Sequence, residues 1–216
     1  MIKKAVIISG GNLDNEFCLA FLSQHEFAYC IAADRGMAFM KTQGLTPTHV
    51  VGDFDSVDKD LLHFFEGDNN IEITKWQPEK DFTDTQLAVE KALMLGSQEI
   101  WILGGTGTRL DHLLANVKIL NVAARKQVPC YLLDEHNKAY LITTDHQIKR
   151  EKQYGKFVSV FAMGESAEVT LRGFKYPLTA YPMTGFDAIG VSNEIVAAQG
   201  EIHFKGQALL VIESHD

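Results

Sequence analysis

Gly52-Asp53-Phe54-Asp55-Ser56 sets two carboxylates two positions apart where an apolar run ends. Such groups repel unless a cation or a proton lies between them. Mg²⁺ takes one or two carboxylates and completes its octahedron with waters and phosphate oxygens, so the pair suits a metal that carries a phosphorylated substrate. In extended chain, Asp53 and Asp55 lie on the same side. A strand-end turn with Asp55 or Ser56 as a helix cap is the plainer alternative. A second cluster, Lys80-Asp81-Phe82-Thr83-Asp84-Thr85-Gln86, opens a helical pattern. Thr83 to Gln86 fits a capping box, which leaves Lys80, Asp81 and Asp84 unexplained. A helix N-terminus also attracts phosphate. A third cluster is Gly104-Gly105-Thr106-Gly107-Thr108-Arg109-Leu110-Asp111-His112. Its glycines let backbone N–H groups approach phosphate oxygens, and Arg109 offers a planar fork to the same oxygens. His112 alone reads as a structural histidine. Neither the Walker A spacing nor GxGxxG is present. A fourth cluster, Gly190-Val191-Ser192-Asn193-Glu194 with Lys175-Tyr176-Pro177-Leu178, reads on composition as loop.

These clusters need a frame, and the first ~135 residues supply one. Strands are expected at 4–8, 29–33, 49–51 running into Gly52, 71–75, 99–103 and 128–133. Helical patterns are expected at 14–24, 35–42, 58–66, 83–95 and 111–125. Strand–helix alternation of this kind makes a mostly parallel, Rossmann-like sheet with flanking helices, whose ligands sit at the carboxyl ends of the strands. Three of the four clusters fall there. Acid pairs, backbone amides and one arginine on one sheet edge fit metal-assisted transfer of a phosphate-containing group. After residues 134–137 the helical period stops. Glycine-punctuated β runs at 139–143, 156–162, 167–171, 195–198, 201–205 and 208–212 indicate an all-β sandwich or barrel, with 198–201 as a hairpin connection. The expected domains are therefore 1–136 and 137–216.

Composition narrows the partners. The 216-residue chain carries a formal charge of −8 and no basic stripe, which argues against nucleic acid. Cys18, Cys30 and Cys130 are odd in number and far apart, so neither a disulfide framework nor a zinc site is expected. No run approaches the ~20 apolar residues of a membrane span. The expectation is a soluble cytoplasmic protein.

Asp34-Arg35-Gly36, Gly52-Asp-Phe-Asp-Ser56, Lys80-Asp81 with Thr83-Asp84, the Gly-rich segment ending Arg109-Leu-Asp-His112, Lys175-Tyr-Pro-Leu178 and Ser192-Asn193-Glu194 together resemble the thiamine pyrophosphokinase (thiamine diphosphokinase) family. The likeness runs in the family's order over nearly the whole chain, departing at the Gly-Thr-Gly-Thr before Arg109. It implies an ATP-binding catalytic α/β domain and a β-sandwich that binds thiamine and dimerises. It further implies a homodimer with thiamine in a cleft between subunits. The activity implied is transfer of the pyrophosphoryl group of ATP to the hydroxyl of thiamine. Asp53, Asp55 and Asp84 match the family's Mg²⁺-associated acids. Asp55, Asp81, Asp84, Arg109 and Asp111 correspond to catalytic positions, with Asp81 and Asp111 the alternatives for handling the alcohol proton. Asp34, Arg35, Gly36, Gly105, Thr106, Arg109 and His112 correspond to the nucleotide side. Asp81, Thr83, Ser192 and Asn193 correspond to the thiamine side. Two rivals remain. A Mg²⁺-dependent phosphohydrolase would use Asp-Phe-Asp as its paired acids, but its pair belongs after the first strand. A non-catalytic nucleotide or thiamine sensor would have no need of intact acids.

Overall fold

Short apolar runs become strands closed off from water on both faces. The computed structural model describes residues 2–55, 57–76, 82–107 and 109–216, which group into two units, Met1–Glu135 and His136–Asp216. In the first unit, β1 (Lys4–Ile8), β2 (Tyr29–Ala33), β3 (His49–Gly52), β4 (Glu72–Lys75), β5 (Glu99–Leu103) and β6 (Cys130–Leu133) lie in the order β6-β5-β1-β2-β3-β4. Every pairing among them is parallel. Ala5, Val6, Ile7 and Ile8 of β1 are fully buried, as a central strand covered by helices requires. The edge strand β4 is only part-buried, with Glu72 and Lys75 exposed.

The helices begin where side-chain caps are available. In α1 (Asn15–Gln24) the Asp14 carboxylate accepts from the Phe17 N–H at 2.8 Å. In α3 (Lys59–Glu66) Asp58 accepts from Asp60 N–H at 2.8 Å, and in α4 (Asp84–Met94) Thr83 accepts from Gln86 N–H at 3.3 Å. Only half of the expected capping box forms, because the Gln86 side chain donates forward to Glu90. Helices α2 (Gly36–Thr42) and α5 (Leu110–Ala124) have no side-chain cap bond.

Chain order creates a switch point. From β1 the chain builds β2, β3 and β4 on one side. Helix α4 then crosses back over β1, β2 and β3 to place β5 on β1's other side. The carboxyl ends of β1 and β5 are where such sheets bind ligands.

Gly36 makes this packing possible. A Cβ there would lie 1.9 Å from the Ile8 carbonyl oxygen, so α2 approaches β1 backbone to backbone. Gly36→Ala is expected to destabilise the protein by about 2 kcal/mol or more, since backbone must shift to admit one methyl. Urea unfolding measures this, and an unchanged midpoint would show that the contact is not rigid.

In the second unit, β7 (Asn137–Ile142), β9 (Phe157–Met163), β14 (Ala208–Ser214) and β12 (Asn193–Glu194) form one antiparallel sheet, ordered β12-β9-β14-β7. A four-stranded antiparallel sheet, β11-β10-β13-β8, contains β8 (His146–Lys149), β10 (Ser166–Arg172), β11 (Leu178–Thr184) and β13 (Gln199–Lys205). In β10, Ala167, Val169 and Leu171 are buried between more exposed neighbours, whereas β9 and β14 bury consecutive residues, Val158 to Val160 and Ala208 to Val211. Two local expectations fail here. Residues 195–198 are not a strand; only Ile195 makes an isolated bridge, to Phe174. Residues 198–201 are not a hairpin connection, because β13 already starts at Gln199.

Candidate functional site

A cleft of about 410 Å³ opens at the switch point, lined by Ser9, Gly10, Gly11, Ala33, Asp34, Arg35, Thr83, Asp84, Thr85, Gly104, Gly105, Gly107, Arg109, His112 and Asn116. Loops after β1, β2 and β5 and the first turn of α4 build it. The loops after β1 and β5 touch directly. Gly11 N–H donates to the Gly104 carbonyl at 2.9 Å, and a Cβ on Gly11 would sit 2.3 Å from that oxygen. Behind them the hydroxyls of Ser9 and Thr85, both buried, pair at 2.6 Å and tie the end of β1 to α4.

The acids gather beside this cleft. The Asp84 carboxylate accepts from the Asp53 N–H at 3.3 Å, and Asp53 in turn accepts from the Asp55 N–H at 3.0 Å. Burial, with the Asp34 and Asp53 carboxylates nearby, pushes the Asp84 carboxyl up to about 6. Three acids from the ends of β2, β3 and the start of α4 thus share one neighbourhood. Extended-chain alternation, expected to put Asp53 and Asp55 on one side, does not hold. Strand β3 ends at Gly52, and Phe54 takes a left-handed conformation (φ 62°) with its ring 8% exposed. The turn buries the ring and leaves Asp53 half-buried and Asp55 exposed. A bulky side chain seldom accepts such a backbone, so burial of the ring must offset the strain. Asp34 also has a positive φ, 44°, and sits where β2 ends. Among the described residues no three acid, imidazole or thiol groups are arranged to ligate a metal ion by themselves. The set instead suits Mg²⁺, which draws most of its ligands from water and phosphate. Asp81 and Lys80 lie outside the described residues.

Arg109 and Asp111 form an exposed pair at the cleft rim. Arg109 Nε donates to Asp111 Oδ1 at 3.1 Å, and its Nη2 donates to Oδ2. The guanidinium holds the Asp111 carboxyl down at about 2. His112 follows on the same exposed turn and lines the cleft, as do Arg35 and Gly105, whereas Thr106 is half-buried in the same loop. Gly36 is buried in the α2–β1 packing, and Thr83 is the α4 cap. The free thiols of Cys18, Cys30 and Cys130 are pushed to about 12, chiefly by burial, so thiolate chemistry is not in reach.

Ser192 and Asn193 belong to the second unit. Ser192 is exposed, with φ 55°, and its N–H donates to Ser159 Oγ at 3.0 Å. Asn193 is buried. Its Oδ1 accepts from the Tyr176 and Glu194 N–H groups, each at 3.0 Å, and its Nδ2 donates to the Tyr176 carbonyl at 2.7 Å. Lys175 pairs with Glu194 at 2.8 Å. The segment at 175–178 and the Ser192-Asn193-Glu194 run therefore meet, with Asn193 as the clasp.

Ser9, Gly10, Gly11, Thr85 and Asn116 line the cleft, although the sequence reading assigns them no place in it. Gly10-Gly11 directly after β1 is a usable signal, since glycines at a strand's carboxyl end admit close approach. Asn116 is another: a lone amide on the face of α5 that carries Ile119, Leu120 and Ala123.

Comparison with known proteins follows the same division of the chain. The family model described as thiamin pyrophosphokinase, catalytic domain, matches residues 22–132. The model described as thiamin pyrophosphokinase, vitamin B1 binding domain, matches residues 145–209. A thiamine pyrophosphokinase of Bacillus subtilis (strain 168) is 30% identical over 192 residues, covering 88% of this chain and 89% of that protein. The crystal structure of a thiamine pyrophosphokinase from Bacillus subtilis aligns with a TM-score of 0.85 at 27% identity, over 99% of this chain and 100% of that one. One from Geobacillus thermodenitrificans aligns with a TM-score of 0.81 at 30% identity, over 99% and 98%.

Proposed function

The chain belongs to the thiamin pyrophosphokinase family and is a thiamine diphosphokinase; we propose that the switch-point cleft of its first unit binds ATP and that the second unit binds thiamine. The reading rests on one observation above others: Asp34, Asp53 and Asp84 share a neighbourhood beside a cleft walled by glycine-rich strand ends and arginines. Asp53 and Asp84 would hold Mg²⁺, with Asp55 on the same turn. The ion, when bound, neutralises the triphosphate and polarises its phosphoryl oxygens.

The residues of the chain supply the rest. Arg109 offers its fork to phosphate oxygens, and Asp111 aims that fork until an anion competes for it. Held near 2, Asp111 stays ionised and is a poor proton acceptor at neutral pH. Its contribution is orientation. The half-buried Asp84 is better matched to neutral pH, although a bound cation would lower its affinity for a proton. Positioning dominates, because phosphoryl-type transfer needs little base strength. The protein is further proposed to work as a cytoplasmic homodimer. Exposed Phe186, Ile189 and Val191 support association, and no helix among the described residues is long and apolar enough to cross a membrane.

An end-point assay with ATP, thiamine and the purified chain tests this. AMP and thiamine diphosphate are expected in equal amounts, and only with Mg²⁺ and thiamine both present. Phosphate release without thiamine would favour the hydrolase; binding without product would favour the sensor.

A further inference from the structure

Asn116 is a buried amide, 6% exposed, on a helix face that otherwise packs apolar side chains. A leucine would fill that space without needing a hydrogen-bond partner. What the amide adds is a bond: its Nδ2 donates to the carbonyl of Gly105 at 2.7 Å. Gly105 is itself buried, and both residues line the cleft. A buried carbonyl needs a donor, and α5 supplies one by reaching back onto the loop that precedes it.

The consequence is directional. The neighbouring carbonyl, Gly104, already accepts from Gly11 N–H at 2.9 Å. Two successive carbonyls are therefore held by two different elements. In a planar trans peptide the N–H points opposite to the C=O. Fixing the Gly105 carbonyl on Asn116 turns the Thr106 N–H away from α5, and fixing Gly104 on Gly11 does the same for Gly105 N–H relative to β1.

We propose that Asn116 is a positioning residue: it fixes the Gly105–Thr106 peptide so that backbone N–H groups of this loop are presented to the phosphate oxygens of a nucleotide. This rests on the cleft being the ATP site. Asn116 need not touch the nucleotide.

The test is binding of a non-hydrolysable ATP analogue to the full chain by calorimetry, with steady-state kinetics beside it. Asn116→Ala is expected to weaken analogue binding about tenfold and to raise the KM for ATP similarly, with the KM for thiamine within about twofold. Asn116→Leu keeps the side-chain volume and should behave alike if the alanine variant folds poorly. Ile119→Val, on the same helix face, is the control for lost packing; it should lower the melting temperature with little change in binding. Wild-type-like binding by both Asn116 variants would overturn the proposal, as would an equal loss of binding in Ile119→Val. If the unaltered chain binds no analogue, the assignment of the cleft to ATP fails, and this proposal fails with it.

Discussion

Asp84→Asn should abolish turnover while making the ligand-free protein more resistant to heat at neutral pH. The first effect follows from the role proposed for Asp84 in holding Mg²⁺; loss of such a charged group costs roughly 10³-fold in kcat. The second follows from its environment. Burial and the Asp34 and Asp53 carboxylates raise Asp84 from an ordinary 3.8 to about 6. The folded chain thus binds that proton more tightly than the unfolded chain does. The stabilisation is complete below about pH 4 and is lost as pH rises through about 6. Above that range the folded protein carries a carboxylate against its surroundings, and asparagine removes the conflict. Each 1 kcal/mol regained is worth about 2–4 °C in a domain of this size. Calorimetric scans with a chelator, near pH 4 and near pH 8, should show a gap between variant and parent only at the higher pH. An equal gap at both values would detach the effect from ionisation, and turnover within about tenfold of the parent would remove Asp84 from the machinery.

Glu213→Ala is expected to cost about 3 kcal/mol or more of stability with no direct effect on the cleft chemistry. Glu213 is 1% exposed, an unusual place for a carboxylate. It is satisfied from several sides. Lys138 Nζ lies 2.6 Å from its Oε1, Tyr140 donates to the same oxygen at 3.0 Å, and the Tyr154 N–H donates to Oε2 at 2.6 Å. Alanine would remove the acceptor common to these groups. Lys138 retains some exposure, so part of its charge can be hydrated, which keeps the cost at the lower end of the range for broken buried pairs. Glu213→Gln keeps the shape and should cost less. Thermal unfolding of the three proteins gives the order, and a melting temperature for Glu213→Ala within ~2 °C of the parent would mean that water replaces the carboxylate without penalty.

How far the sequence can be read depends on where each element sits. The core strands of the first unit are plain, because strands covered on both faces must be continuous apolar runs. The helices are legible within a residue or two, since Asp14, Asp58 and Thr83 mark their starts. Strands β8 and β11, which the apolar pattern does not reveal, are the two edges of their sheet. An edge tolerates polar residues and proline, and β11 carries Pro182. The acids Asp53 and Asp84 stand out in the sequence, but the path between them does not. The turn from Asp53 to Asp55 is hidden as well: it depends on Phe54 turning left-handed, a conformation that glycine or asparagine would have announced and phenylalanine conceals. Resemblance puts Asn193 on the thiamine side, and what the sequence does not show is that its amide is engaged with backbone at Tyr176 and Glu194. A hydrogen-bond partner as distant along the chain as Tyr176 leaves no local signature.

The abutting loops after β1 and β5 carry a constraint of their own. Any side chain at position 11 would contest the volume of the oxygen at position 104, so neither loop is free to drift alone. Among descendants of this chain, a non-glycine at 11 should arise only alongside an insertion, deletion or rerouting of the 104–109 segment. The two loops would thus evolve as one heritable unit, although 93 residues of sequence separate their points of contact.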